Sequence, residues 1–260
     1  MNYGQRTMMP HHDSEVGVTK ATTEHHWFST THWSVLSLAG QENSPSAPEA
    51  LEKLCRTYWP PLYSFARRQG FGPEEAQDMT QSFFAKLLEK NFWARADSTK
   101  GRFRSFLLTA MRQFLADQRD RVRTAKRGGG VQLLSLDDES GEAYFLDGLN
   151  RNLSAEAQYD RQWAATVLEQ ARARLREECV ASGKSELYDR VSLVDGRSES
   201  GTPLALIAKE LGMSVSAVKS AVSRLRARYG ELVRQEVAQT VSSPAELEAE
   251  IRHLLSAIGD

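Results

Sequence analysis

Two groups of side chains in this sequence combine a chemistry-bearing type with helical spacing. Between Gly101 and Arg127, Phe103, Phe106, Leu107, Ala110 and Phe114 recur at intervals of three and four, the spacing of a buried helical stripe. Arg112, Arg119, Arg123 and Arg127 fall about half a turn away on the same predicted helix. Ten Lys and Arg stand against three Asp from Arg95 to Gly130, a local excess of seven positive charges. A guanidinium offers N–H donors in a planar fork that matches phosphate oxygens, so a row of them on an aromatic-anchored helix suits a polyanion. The second group is Ser216, Lys219, Ser220, Ser223, Arg224 and Arg226. It sets short hydroxyls and cations on one predicted helix, a chemistry suited to phosphates and base edges in a major groove.

Neither group carries the pattern of a catalytic site. No paired carboxylates, nucleophile motif or metal-spaced ligands stand out elsewhere. Gly128–Gly130 lacks a following Lys-Ser/Thr and a preceding strand, so it reads as a linker and not as a phosphate cradle. Five of the six histidines (His11, His12, His25, His26 and His32) lie near the start without ligand spacing. Cys55 and Cys179 are far apart and in no CxxC pair, which implies neither a disulfide framework nor a zinc site. The expectation is a binding protein, not an enzyme, with no cofactor and no metal. At 40% hydrophobic and 26% charged residues the composition is that of a soluble globular chain. With no run of eighteen apolar residues and no apolar leader, a cytoplasmic location without membrane contact follows.

The elements that must position these groups are helices. Residues 1–48 form a polar N-terminal extension, expected to be partly disordered, though Trp27, Phe28 and Trp33 suggest a short docking helix from about Thr31. From Glu49, the residues Leu51, Leu54, Cys55, Tyr58, Leu62 and Phe65 are helical in spacing, and Pro60-Pro61 predicts a kink or break. Gly70 ends this element and Pro73 opens the next, with Glu74 and Glu75 complementing its dipole. Its apolar stripe is Ala76, Met79 or Thr80, Phe83, Leu87 and Leu88, and its polar face holds Glu75, Asp78, Gln81 and Ser82. These helices and the arginine-bearing one make a first helical domain over 49–127.

An acidic linker then spans 128–153, and a second domain covers 154–235. Ser154 is a predicted cap, ahead of a stripe of Tyr159, Trp163, Val167, Ala171 and Leu175. A helix through Leu187, Val191 and Val194 closes at Gly196. Residues 203–229 read as a helix-turn-helix: Leu204, Ile207, Ala208 and Leu211 face inward, Gly212 turns, and Ser214 caps the second helix. Val218, Ala221 or Val222, and Leu225 bury that helix's inner side. The linker spans about 25–30 Å as a flexible coil and at most ~90 Å extended, against roughly 34–36 Å per turn of duplex. Both domains could therefore occupy one DNA. Ser243-Pro244-Ala245-Glu246 opens an acidic C-terminal helix within 236–260, expected to pack on the second domain or to shield a basic DNA face.

Taken in order, these segments resemble bacterial RNA polymerase sigma factors of the extracytoplasmic-function (ECF) type. PEEAQDMTQSFFAKLLEK is similar to the family's helix that grips the β′ coiled coil, with Asp78 and Gln81 at the matching polar positions. FRSFLLTAMRQFLADQRDR is similar to the melting and minus-ten segment, with Phe106 for the usual tryptophan and Gln113 for a common asparagine. LALIAKELGMSVSAVKSAVSRLRAR is similar to the minus-thirty-five reader, with Ala221 in place of a usual arginine. The resemblance implies an all-α fold of two small helical domains joined by a flexible linker. It implies polymerase contacts at Glu75, Asp78, Gln81 and Ser82, and minus-ten or melting contacts at Arg104, Arg112, Gln113, Arg119 and Arg123. Ser216, Lys219, Ser220, Ser223, Arg224 and Arg226 would read the upstream box. Implied partners are core RNA polymerase (β′ coiled coil and β flap), promoter DNA and an anti-sigma factor. A free-standing helix-turn-helix regulator is the alternative; it accounts for 203–229 but not for the ordered match at 73–123.

Overall fold

Eight α-helices, and no strand, make up the residues that the computed structural model describes: 32–33, 47–89, 102–125, 153–192 and 204–259. They are α1 (Ala47–Arg68), α2 (Pro73–Leu87), α3 (Phe103–Ala125), α4 (Ala155–Ala181), α5 (Ser185–Ser192), α6 (Leu204–Glu210), α7 (Val215–Ala238) and α8 (Pro244–Gly259). The linker up to 152, most of the N-terminal extension, Val194, Gly196 and residue 203, where the helix-turn-helix is expected to begin, lie outside the described residues.

Helix α1 runs unbroken through Pro60 and Pro61, where the sequence predicts a kink or break. An interior proline costs a helix roughly 3 kcal/mol. Here Leu54, Tyr58, Leu62 and Phe65, on both sides of the pair, are fully buried, and their packing outweighs that cost. Gly70 then adopts a left-handed φ of +93°, and Pro73 starts α2 with Glu75 accepting the Gly72 N–H at 3.1 Å. The α2 stripe is Ala76, Thr80, Phe83, Phe84 and Leu87; Phe84 joins it, and Leu88 is exposed.

On α3, Phe103, Leu107, Met111, Phe114 and Leu115 are buried and meet Tyr58, Leu62 and Phe83 in the largest core. Tyr159, Trp163 and Val167 from α4, Val237 near the end of α7, Val241 just after it, and Leu254 of α8 belong to that same core. The cores thus divide along other lines than the boundaries at 127 and 154: α1 packs most extensively on α4, and only the second half of α4 turns to a separate cluster. Polar links run across this contact. Glu236, almost wholly buried, takes Lys53 at 2.9 Å and Arg174 at 2.5 Å, and Gln170 donates to Thr57 Oγ1 at 2.8 Å.

His32 is buried against Tyr58 and Phe103, with Nδ1 3.2 Å from the Tyr58 hydroxyl and its backbone N–H donating to Gln239. Trp33 packs edge-on to Phe103. Both residues are helical, in keeping with the docking helix expected there.

Helix α8 carries Leu247 and Leu254 into the core, half-buries Ile251 and Ile258, and leaves Leu255 exposed. It packs on α4 and α7. It starts at Pro244, as Ser243-Pro244-Ala245-Glu246 predicts, and the Glu246 carboxylate reaches back to accept the backbone N–H of Ser242 at 3.1 Å.

Candidate nucleic-acid interface

The α3 cations separate into two kinds. Arg112 is exposed and donates to Glu156 of α4 at 2.7 Å. The Glu156 carboxyl lies below its ordinary range, first through its own backbone amide and then through Arg112. Gln113 is exposed beside it. Arg119, also exposed, donates to the Gln69 carbonyl at 2.5 Å and sits 5.0 Å from the Phe71 ring centroid. The left-handed turn at Gly70 places that carbonyl and that ring side by side. The side chain of Arg123 lies outside the described residues.

Arg104 requires a correction. Assigned to the DNA-facing set, it is instead 5% exposed, with Nε donating to Glu250 at 2.5 Å and Nη1 to Asp160 at 2.5 Å. Its guanidinium lies 5.2 Å from the Trp163 ring, and Tyr159 Oη donates to its backbone carbonyl at 3.0 Å. Burial opposes its charge, but the carboxylates of Asp160 and Glu250 more than compensate and hold it protonated.

Near the C-terminus, α6 and α7 meet through a four-residue connection in which Gly212 takes a φ of +62°. That left-handed geometry costs any residue with a Cβ. Ser214 Oγ accepts the Ala217 N–H at 3.2 Å and caps α7. Ile207, Ala208, Val218 and Val222 close a small core between the two helices, and Ala221 is buried as well. Ser216, Lys219, Ser220, Ser223, Arg224 and Arg226 are all exposed. Helical geometry places Ser216, Lys219, Ser223 and Arg226 within about 80° of one another.

The structure sorts the remaining cations of this helix. Arg228 is engaged by Glu178 at 2.7 Å and Glu231 at 2.7 Å, and Arg234 by Glu248 at 2.5 Å. Among the described residues no carboxylate pairs with Lys219, Arg224 or Arg226. Unpaired positive charge therefore lies on the exposed side of the first half of α7, with Lys219 and Arg226 close in angle and Arg224 on the flank. The α3 cations have other neighbours: Arg112 contacts α4, and Arg119 contacts the α1–α2 connection.

On α2, Asp78, Gln81 and Ser82 are half-exposed in successive turns, while Glu75 is engaged in the helix start. Sequence reasoning missed Phe71 as the platform for Arg119 and Glu250 as the partner of Arg104. An aromatic after a Gly-ended helix hints at the first; nothing local signals the second.

The described residues are thus all helical, with exposed cations on α3 and α7 and a polar face on α2, between α1 and α3. The family model for ECF sigma factors matches residues 45–235, and the chain belongs to that family. Its role accordingly lies in transcription initiation. No curated protein matches the chain, and no solved structure does. No helix among the described residues is long and apolar enough to cross a membrane.

Proposed function

We propose that the chain loads onto core RNA polymerase through the polar face of α2, at Asp78, Gln81 and Ser82 with Glu75 at its edge. It then holds promoter DNA with two helices. On α3, Arg112, Gln113 and Arg119, with Arg123, contact the minus-ten region and stabilise the unpaired strand by phosphate and base contacts. The α6–turn–α7 unit works as a helix-turn-helix, placing Ser216, Lys219, Ser220, Ser223, Arg224 and Arg226 in the major groove of the upstream box. Synthesis belongs to the polymerase; this chain acts by binding, in the cytoplasm, with no cofactor. The β flap of the polymerase and an anti-sigma protein complete its expected partners.

The observation that carries this reading is that Lys219, Arg224 and Arg226 of α7 are exposed and have no carboxylate partner among the described residues, in a chain of this family. A folding role would have paired them, as it pairs Arg228 and Arg234. The test is transcription in vitro with core polymerase and a library of genomic promoters. Lys219→Ala and Arg224→Ala should each weaken promoter use, by about 1–3 kcal/mol where a base contact is lost. Parental promoter use by both variants would remove the assignment.

A further inference from the structure

Arg104 stands at a boundary of α3. Helical geometry places it about 80° from Arg112 and about 60° from Arg119, on the flank of the cationic side. It is nevertheless held inward by two carboxylates from later in the chain: Glu250 of α8, at 2.5 Å and 3.5 Å, and Asp160 of α4, at 2.5 Å. Glu250 is wholly buried and also takes Arg102 Nε at 2.9 Å. One turn on, His253 Nε2 lies 2.9 Å from Asp160.

A carboxylate on the apolar stripe of α8 is not needed for docking. Leu247 and Leu254 already seat that helix, and an apolar residue at 250 would pack beside them at no ionic cost. What Glu250 adds is a tie to α3. Helix α8 is seated by Leu247 and Leu254 and leaves Leu255 exposed, so its apolar contact is incomplete and the Glu250 ion pairs contribute to holding it in place.

We propose that Arg104 is a masked phosphate-contacting residue: α8 holds it against Glu250 and Asp160 in the free chain, and release of α8 turns it to the DNA backbone beside Arg112 and Arg119. The inference rests on the reading of α3 as a DNA-contacting helix. Both states satisfy the guanidinium with anionic oxygens, carboxylate inside and phosphate outside, while Glu250 on the released helix regains water. The tail is then an internal competitor for one cation, not a cover over the whole face, since Arg112 and Arg119 are exposed with α8 in place.

The test measures binding of the full chain to a short labelled duplex across a salt series, without polymerase. Glu250→Gln should tighten binding about fivefold at low salt and steepen the slope of log K against log salt by about 0.9, one added phosphate contact. Adding Arg104→Gln should cancel both changes. Asp160→Asn should shift binding the same way by less, and serves if Glu250→Gln does not give a folded chain by circular dichroism. Unchanged affinity and slope in folded variants, or a gain that survives Arg104→Gln, would overturn the proposal. A parental chain that retains promoter DNA with core polymerase in that case leaves the α3 reading standing. Failure of that complex as well removes the reading, and the proposal with it.

Discussion

Arg104 and Arg112 lie eight residues apart on one helix and have opposite environments. The Arg112–Glu156 pair is half-exposed on both sides, and such pairs contribute about 0–1 kcal/mol, so little is lost when it opens. Arg104 is paired inside the protein, where removing one partner leaves an uncompensated charge at a cost of about 3–5 kcal/mol. Chemical denaturation should therefore show Arg112→Ala within about 1 kcal/mol of the parent and Arg104→Ala about 3 kcal/mol less stable. Equal losses would contradict the assigned environments. The apolar stripe of α3 was legible because Phe103, Leu107 and Phe114 share one helix. The fate of Arg104 was not, because its partner Glu250 lies 146 residues away. His32 carries a second residue-scale prediction. Burial, aided by the Lys53 charge, lowers its pKa to about 3. Between that value and the unfolded one near 6.5, only the unfolded chain binds the proton, so stability falls as pH drops below about 6.5. The loss attributable to this group should reach about 2 kcal/mol at pH 5. His32→Gln should flatten that part of the stability profile, and an unaltered slope would count against a buried neutral imidazole.

At the scale of elements, local chemistry was the readable part. Ser154 and Ser214 cap α4 and α7 through Ala157 and Ala217. Tyr159, Trp163, Val167, Ala171 and Leu175 form the buried face expected of α4. Where packing competes with local preference, the sequence misled: Pro60 and Pro61 signal a break that the buried residues around them prevent. The α6–α7 turn yields the sharpest prediction. Gly212 has open space around a would-be Cβ, so Gly212→Ala should cost only the left-handed backbone penalty, about 1–2 kcal/mol. Ser214→Ala should cost about 1 kcal/mol through the lost cap. Urea titration of the two variants checks both; a larger loss at Gly212 would mean a steric role that the structure excludes.

For the whole molecule, the main core draws on residues from Leu54 to Leu254, so the described helices are not two self-contained bundles. Charge segregation along the chain was plain in the sequence, whereas the contact of α1 with α4 was not, since no local pattern records which helix faces another. A shared core predicts one cooperative thermal transition for the full chain, and calorimetry resolving two well-separated transitions would contradict it. The account stands most directly on one measurement: recovery of genomic DNA fragments by core RNA polymerase with and without the purified chain. The chain should bind the polymerase and direct it to a restricted set of fragments that it opens. A chain that ignores the polymerase yet grips duplex DNA tightly by itself would contradict the account.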